Sequence, residues 1–356
     1  MKKAVVAALA ATLLGGTASY AADLEVTHWW TSGGEAYAVA AFADALNATG
    51  KHKWVDGAIG GSGDTARPII ISRIMGGDPP EATQFNPGKD ADDLIDAGLM
   101  LDLTELAEKE NWKAIVFPPS QLESCTRNGK VWCVPVNLHS GLWMWTNRHV
   151  FEDNGLTPPK NWDELMAAAP ALREKGIIPL SIAQGWPFST LSENVEIGAL
   201  GIEGFKRIYV SRDIEFAKGP ESRKVWEILD QARQIIDPNE VVAQWNDAVS
   251  LVITGAAAAN VMGDWAQGEF AVAEQKAGVD YDCLPGLGIN DVVNTGGDVF
   301  YFPKNDDPDL TAAQLELASI MISKEVQVSF NLRKGSMPIR QDIDLNAAND
   351  CMKKGL

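Results

Sequence analysis

Leu24-Glu25-Val26-Thr27-His28-Trp29-Trp30, then Thr31-Ser32-Gly33-Gly34-Glu35, then an Ala-rich run from Ala36 to Leu46, read as strand, loop and helix in immediate succession. β-Branched and aromatic residues mark the first part, and apolar residues fall at helical spacing in the last. The unit then recurs. Trp54 to Gly60 is weakly strand-like, Gly60-Gly61-Ser62-Gly63-Asp64 is a loop, and Ala66 to Met75 reads as a helix stopped by Gly76-Gly77-Asp78-Pro79-Pro80. Glu81 to Phe85 is a third strand, Asn86-Pro87-Gly88-Lys89 a third loop, and Asp90 to Ala97 a helix with Gly98 at its C-cap. Such alternation predicts an α/β fold with a largely parallel sheet, in which ligands bind at the loops leaving the C-terminal ends of the strands.

The chain has 356 residues, room for about two domains, with 46% apolar and 22% charged residues, the balance of a protein with a buried core. Its formal charge of −18 and pI near 4.6 argue against nucleic acid and anionic lipid as partners, since both need a basic surface. The Gly-rich loop at 60–63 does not fit G-x-G-x-x-G, and no G-x-x-x-x-G-K-[ST] occurs, so no nucleotide cofactor is expected. Lys2 and Lys3, the apolar stretch Ala4 to Leu14, the small run Gly15 to Ser19 and the Ser19-Tyr20-Ala21 cleavage pattern predict a signal peptide over 1–21. No later apolar run is long enough to span a bilayer, so the mature chain is expected to be soluble, exported and periplasmic.

Export permits disulfides. Cys125 and Cys133 flank Arg127-Asn128-Gly129-Lys130, a hairpin signal, and a longer turn with a Gly bulge would set them opposite each other. Whether they bridge is left to geometry, and Cys283 and Cys351 either pair or remain buried thiols. Zinc is not expected: there is no C-x-x-C, and His28, His52, His139 and His149 do not cluster with cysteine.

Farther along, Lys130 to Asn137 is the returning hairpin strand and Leu142 to Thr146 another strand. Asn161 caps a helix with Glu164 three residues on, Ile177 to Leu180 opens a second α/β unit with helices at 193–207 and 222–235, and Leu310 to Phe330 is helical. Tryptophan is the unusual residue, 12 against 5 Tyr and 11 Phe. Trp29, Trp30, Trp245 and Trp265 fall at strand ends and a helix start, positions that tend to carry function. Adjacent Trp29 and Trp30 point to opposite faces, so one is expected in the core and the other toward a ligand. Trp54, Trp112, Trp162 and Trp226 read as core. An indole face suits the C–H face of a pyranose, while the hydroxyl rim needs fixed donors and acceptors. Glu35, Lys89, Asp298 and Lys334, beside Gly or small residues, supply them, and His139 is a further contact. Bland readings stand beside these: Lys89 as a solvated charge, Glu35 as the first-turn acid of the following helix, His139 as a buried imidazole.

The leader followed by Trp29-Trp30-Thr31-Ser32-Gly33-Gly34-Glu35 resembles the start of sugar-binding proteins of bacterial ABC importers, within the glucose/mannose-type subgroup. Pro79-Pro80-Glu81-Ala82, Asn128-Gly129-Lys130-Val131-Trp132 with Val134-Pro135-Val136-Asn137, Pro159 to Leu165, and Met262-Gly263-Asp264-Trp265 resemble further segments of that family. The resemblance implies a two-lobed type II periplasmic-binding-protein fold, with an N-terminal lobe over 22–137 plus a returning segment near 296–335. It places a C-terminal lobe over 138–295 plus 336–356. It implies that Trp29, Trp30, Glu35, Lys89, Trp265, Asp298 and Lys334 line the cleft, that a monomer captures a monosaccharide, glucose or mannose, and that an ABC permease is its partner. Family members continue some tens of residues past the point matching Leu356, and their further C-terminal contacts, including a His, have no counterpart here.

A rival class is the secreted glycoside hydrolase, with Glu35 and Asp298 as the carboxylate pair. Nothing nearby in sequence would raise either pKa, and Lys89 and Lys334 would lower it. A third reading keeps the binding role with an oligosaccharide or polyol.

Overall fold

The computed structural model describes residues 22–355. The expected leader, 1–21, lies outside the described residues.

The opening strand, β1 (Ala22–His28), has β2 (His52–Ala58) and β3 (Ala82–Phe85) parallel on its two sides. The helices between them are α1 (Gly33–Ala48) and α2 (Ser62–Met75). Both begin earlier than apolar periodicity indicates, because Ser32 caps α1 by accepting from the Glu35 N–H, and α2 starts inside the glycine-rich loop. A short hairpin, β4 (Thr126–Arg127) and β5 (Lys130–Val131), precedes β6 (Cys133–Pro135). The hairpin turns through Asn128 and Gly129 alone, both at positive φ, rather than through a longer bulged turn.

The chain then leaves for a second layer: β7 (Trp143–Asn147), α3 (Trp162–Glu174), α4 (Pro187–Tyr209), α5 (Pro220–Ile235), α6 (Trp245–Ile253), β8 (Ala259–Met262), α7 (Ala266–Val272) and β9 (Tyr281–Pro285). It returns as β10 (Val299–Tyr301), α8 (Pro308–Ile322) and α9 (Lys324–Lys334), and ends in α10 (Asp350–Lys354).

The first sheet runs β2-β1-β3-β10-β6, with β10 antiparallel to both neighbours. The reason is directional. Strands β1, β2, β3 and β6 run toward the boundary between the layers, whereas β10 starts there. The second sheet, β8-β7-β9, is antiparallel throughout, which corrects the largely parallel expectation; isolated parallel bridges lie beside it at Ile178–Ala257, Ser181–Asn260, Ala183–Val242 and Ala277–Tyr281. Each sheet has its own core: Leu24, Val26, Phe42, Phe300 and Phe330 in the first lobe, and Trp143, Trp145, Phe270 and Tyr281 with the Trp162–Leu165–Leu172 cluster in the second. Three connections pass between lobes side by side, bridged at Leu138–Met337 and His139–Gly296.

Both cysteine pairs are disulfides. Cys125–Cys133 closes the hairpin base, and Cys283–Cys351 ties α10 to β9. Trp54, Trp112 and Trp162 are buried as expected. Trp226 is not: it is 69% exposed. On α5 the inward positions are Ser222, Val225, Ala232 and Ile235, and Trp226 stands one residue past Val225, about 100° around the helix. Among the described residues no helix is long and apolar enough to cross a membrane.

Candidate functional site

A cleft of about 360 Å³ lies between the lobes. From the first lobe it takes the loops that leave three parallel strands: Trp29 to Glu35 after β1, Gly61 to Arg67 after β2, and Asn86 after β3. From the second it takes Trp186, Gln244, Trp245, Asn246 and Trp265. His139, Asp298 and Lys334, one from each connection or its edge, form the floor. Strand ends meet at this boundary, so short loop side chains reach one point.

The two leading tryptophans, just past the end of β1, both line the cleft but differ in burial. Trp29 is half-buried along the wall, its N–H donating to Gln84 Oε1 at 3.1 Å and its ring 5.9 Å from the Arg67 guanidinium. Trp30 is 2% exposed and packs on Phe300 and Phe330, with Lys334 Nζ 4.6 Å from its ring centroid. It nonetheless contributes to the cleft lining.

Lys334, the last residue of α9, is buried and donates to Glu35 Oε1 at 3.3 Å, while Ser32 Oγ donates to Glu35 Oε2 at 3.2 Å. Burial pushes the Glu35 carboxyl up to about 7, with the Lys334 charge pulling it back and Asp298 adding to the rise. The lowered pKa expected beside lysine is thus overturned by desolvation. Asp298 is held from both sides, accepting from Gln84 Nε2 at 2.9 Å and Asn137 Nδ2 at 2.8 Å. Gln84 therefore links the Trp29 backbone to Asp298 from the middle of β3. Its position inside a buried strand gave no sequence signal.

Trp265 is half-buried, edge-on to His139 at 5.2 Å and 6.0 Å from Trp186. Its ring folds back over Gly263, where an added Cβ would lie 2.2 Å from the ring atoms. Burial lowers the His139 pKa below its ordinary value, against the pull of Asp298, and among the described residues its Nδ1 has no hydrogen-bond partner. Asp264, beside Trp265, accepts from the Ser140 N–H at 2.8 Å and is pushed by burial up to about 8.

Lys89 is not brought to this group. It is exposed in a separate depression with Asp92, Glu123 and Trp132. The Asn86 N–H donates to Asp90 at 3.2 Å, turning the loop so that Asn86 faces the cleft and Lys89, three residues on, faces away. Among the described residues no cluster of His, Cys, Asp and Glu is arranged to hold a metal.

Residues 29–328 match the model of the bacterial extracellular solute-binding proteins. The chain belongs to that family. A probable sugar-binding periplasmic protein of Brucella melitensis is 34% identical to this solute-binding protein over 363 residues, covering 100% of this chain and 85% of the relative. A protein of Mesorhizobium japonicum with the same description is 35% identical over 336 residues, covering 94% and 80%. Among solved structures, a chitin oligosaccharide binding protein superposes with a TM-score of 0.74 at 18% identity, covering 94% of this chain and 85% of that one. The bacterial solute receptor AcbH does so at 0.73 and 17%, covering 94% and 84%. At such identities the likeness is one of fold, the two-lobed binding-protein architecture.

Trp186 is the aromatic cleft residue of this solute-binding protein that sequence reading missed, along with the polar Arg67, Asn86, Gln244 and Asn246. Gly185 before it and Pro187 after it mark a turn at a helix start, the signal that singled out Trp245.

Proposed function

We propose that this solute-binding protein is the periplasmic sugar receptor of a bacterial ABC importer, taking a monosaccharide of the glucose or mannose type and delivering it to the membrane permease. The observation that carries this reading is the facing of half-buried indoles, Trp29 on one lobe and Trp186 and Trp265 on the other, across a floor of Glu35, Lys334, Asp298 and His139. Aromatic faces stack on the C–H side of a sugar, and the charged floor hydrogen-bonds its hydroxyls. A volume near the low end of the ~300–1,000 Å³ usual for ligand pockets favours one ring over an oligosaccharide. The sugar-binding descriptions of the relatives point the same way. Trp29, Trp30, Glu35, His139, Trp265, Asp298 and Lys334 are the proposed binding residues.

Ligand bridging both lobes favours the closed arrangement, because only there are all contacts made. Hydrolysis is disfavoured. A glycosidase needs one carboxylate free to act on water or the anomeric carbon. Here Glu35 is engaged by Lys334 and Ser32, and both oxygens of Asp298 are taken by Gln84 and Asn137. Titration calorimetry with a panel of hexoses, pentoses and disaccharides tests the reading. Saturable binding of a hexose without turnover is expected, and release of reducing sugar from a glycoside, or preference for a longer chain, would overturn it.

A further inference from the structure

Three helices of the two lobes converge behind the cleft, and each carries a cleft residue at its end. The first turn of α1 carries Glu35, α9 ends in Lys334, and Trp265 immediately precedes α7. Helix α7 belongs to the second lobe, where Ala266 and Phe270 pack with Trp143, Trp145 and Tyr281. Its other face presses on the first lobe.

That contact is made by glycines. A Cβ on Gly34 would stand 2.3 Å from the Gly268 carbonyl carbon and 2.6 Å from the Glu269 nitrogen, and one on Gly335 would stand 2.4 Å from Gln267 Cβ. The obstructing atoms at Gly34 are backbone and cannot swing aside. Gly34 and Gly268 lie in helices, where glycine is disfavoured relative to alanine and so has a packing reason.

Two buried side chains of α7 fasten the contact. Glu269 Oε1 accepts from the Gly34 N–H at 2.9 Å, one of the first-turn donors that α1 cannot satisfy itself. Gln267 Nε2 donates to the Gly335 carbonyl at 2.8 Å, just past the end of α9. Ser32 caps one donor of α1 from its own lobe, and Glu269 takes the adjacent one from the other lobe.

We propose that Gln267 and Glu269 are positioning residues: seated in the notch bounded by Gly34 and Gly335, they hold Trp265 of the second lobe in register with Glu35 and Lys334 of the first. Neither lines the cleft. The proposal adds to the sugar-capture reading the element that aligns its two walls, and it rests on that reading for its ligand effect only.

Two readouts on the full chain test it: hydrogen exchange of the amides at 33–36, which needs no ligand, and calorimetry with the sugar that the wild type binds. Glu269→Ala should raise exchange at Gly34 and weaken the sugar by about tenfold, since the buried hydrogen bond from the Gly34 N–H is lost. Glu269→Gln keeps an acceptor and should restore both to within about threefold. Gly34→Ala should abolish seating and weaken binding more than Glu269→Ala does. Unchanged exchange and affinity in Glu269→Ala, or equal losses in Glu269→Ala and Glu269→Gln, would overturn the proposal. Should the wild type bind no sugar, the capture reading fails, while the exchange contrast between the Ala and Gln variants still decides the seating.

Discussion

Lys334 and Glu35 come from opposite ends of the chain and meet at 3.3 Å in the floor of the cleft, both almost wholly buried. The pair is enclosed by the Trp30 ring below Lys334 and the Ser32 hydroxyl on Glu35. A buried pair of this kind is costly to break from one side, because the remaining charge has no water to turn to.

Lys334→Met should destabilise the fold more at pH 8.5, where Glu35 is ionised, than at pH 5.5, where the carboxyl holds its proton, and Lys334→Met combined with Glu35→Gln should recover most of that loss. Urea unfolding of the two single variants and the double variant measures it. A double variant no more stable than Lys334→Met would show that the pair contributes nothing to the fold.

The stability of the protein should depend on pH between 5 and 8. Glu35 is raised from 4.5 to about 7 and Asp264 from 3.8 to about 8, both chiefly by burial. In this window the folded chain holds protons that the unfolded chain has released. The stabilisation is complete below the ordinary carboxylate values and is lost as pH rises through 7 and 8. Each tenfold difference in proton affinity between the folded and unfolded chain is worth about 1.4 kcal/mol. The lowered pKa of His139 acts in the opposite sense, removing stability as pH falls below 6.5. Melting temperature should fall from pH 5.5 to pH 8.5, and Asp264→Asn should flatten the profile. A wild-type melting temperature that rises across that range would contradict the assignment.

Trp265→Ala should weaken sugar binding at least tenfold, about 1.4 kcal/mol, with little change in melting temperature, because the ring is half-exposed. Gly263→Ala should act through the same ring by pushing it off its seat. Lys89→Ala should bind as the wild type does. Calorimetry on the three variants separates cleft from surface.

The two disulfides should differ in weight. Cys283–Cys351 closes a loop of 68 residues and Cys125–Cys133 one of 8. Chain entropy predicts stabilisation of roughly 4 and roughly 2.5 kcal/mol respectively. Thermal unfolding of Cys283→Ser/Cys351→Ser should show the larger drop relative to Cys125→Ser/Cys133→Ser.

Trp162→Ala should cost about 3–5 kcal/mol as a core cavity, whereas Trp226→Ala should fall within about 0.5 kcal/mol. The two residues look alike in sequence, each on an amphipathic helix. Denaturation midpoints distinguish them directly.

Local pattern alone determined the α/β class, the repeated strand–loop–helix units of the first lobe and the tryptophan-bearing strand ends. These follow from side-chain periodicity and from glycine-rich breaks, which act over a few residues. It also singled out Trp29, Trp265, Glu35, Asp298, Lys334 and His139 as candidates by their places at strand ends and beside small residues, while their gathering at one cleft was what the family resemblance implied. Only the tertiary structure decided the rest. The antiparallel entry of β10 depends on where the chain returns between lobes, and the upward shift of Glu35 depends on its burial and on Asp298 and Glu269, brought close from far along the chain. The outward face of Trp226, the turning away of Lys89 and the Gly34–Gly268 contact are likewise settled by what packs opposite. Burial and approach distance belong to pairs of surfaces, and no stretch of one chain carries them by itself.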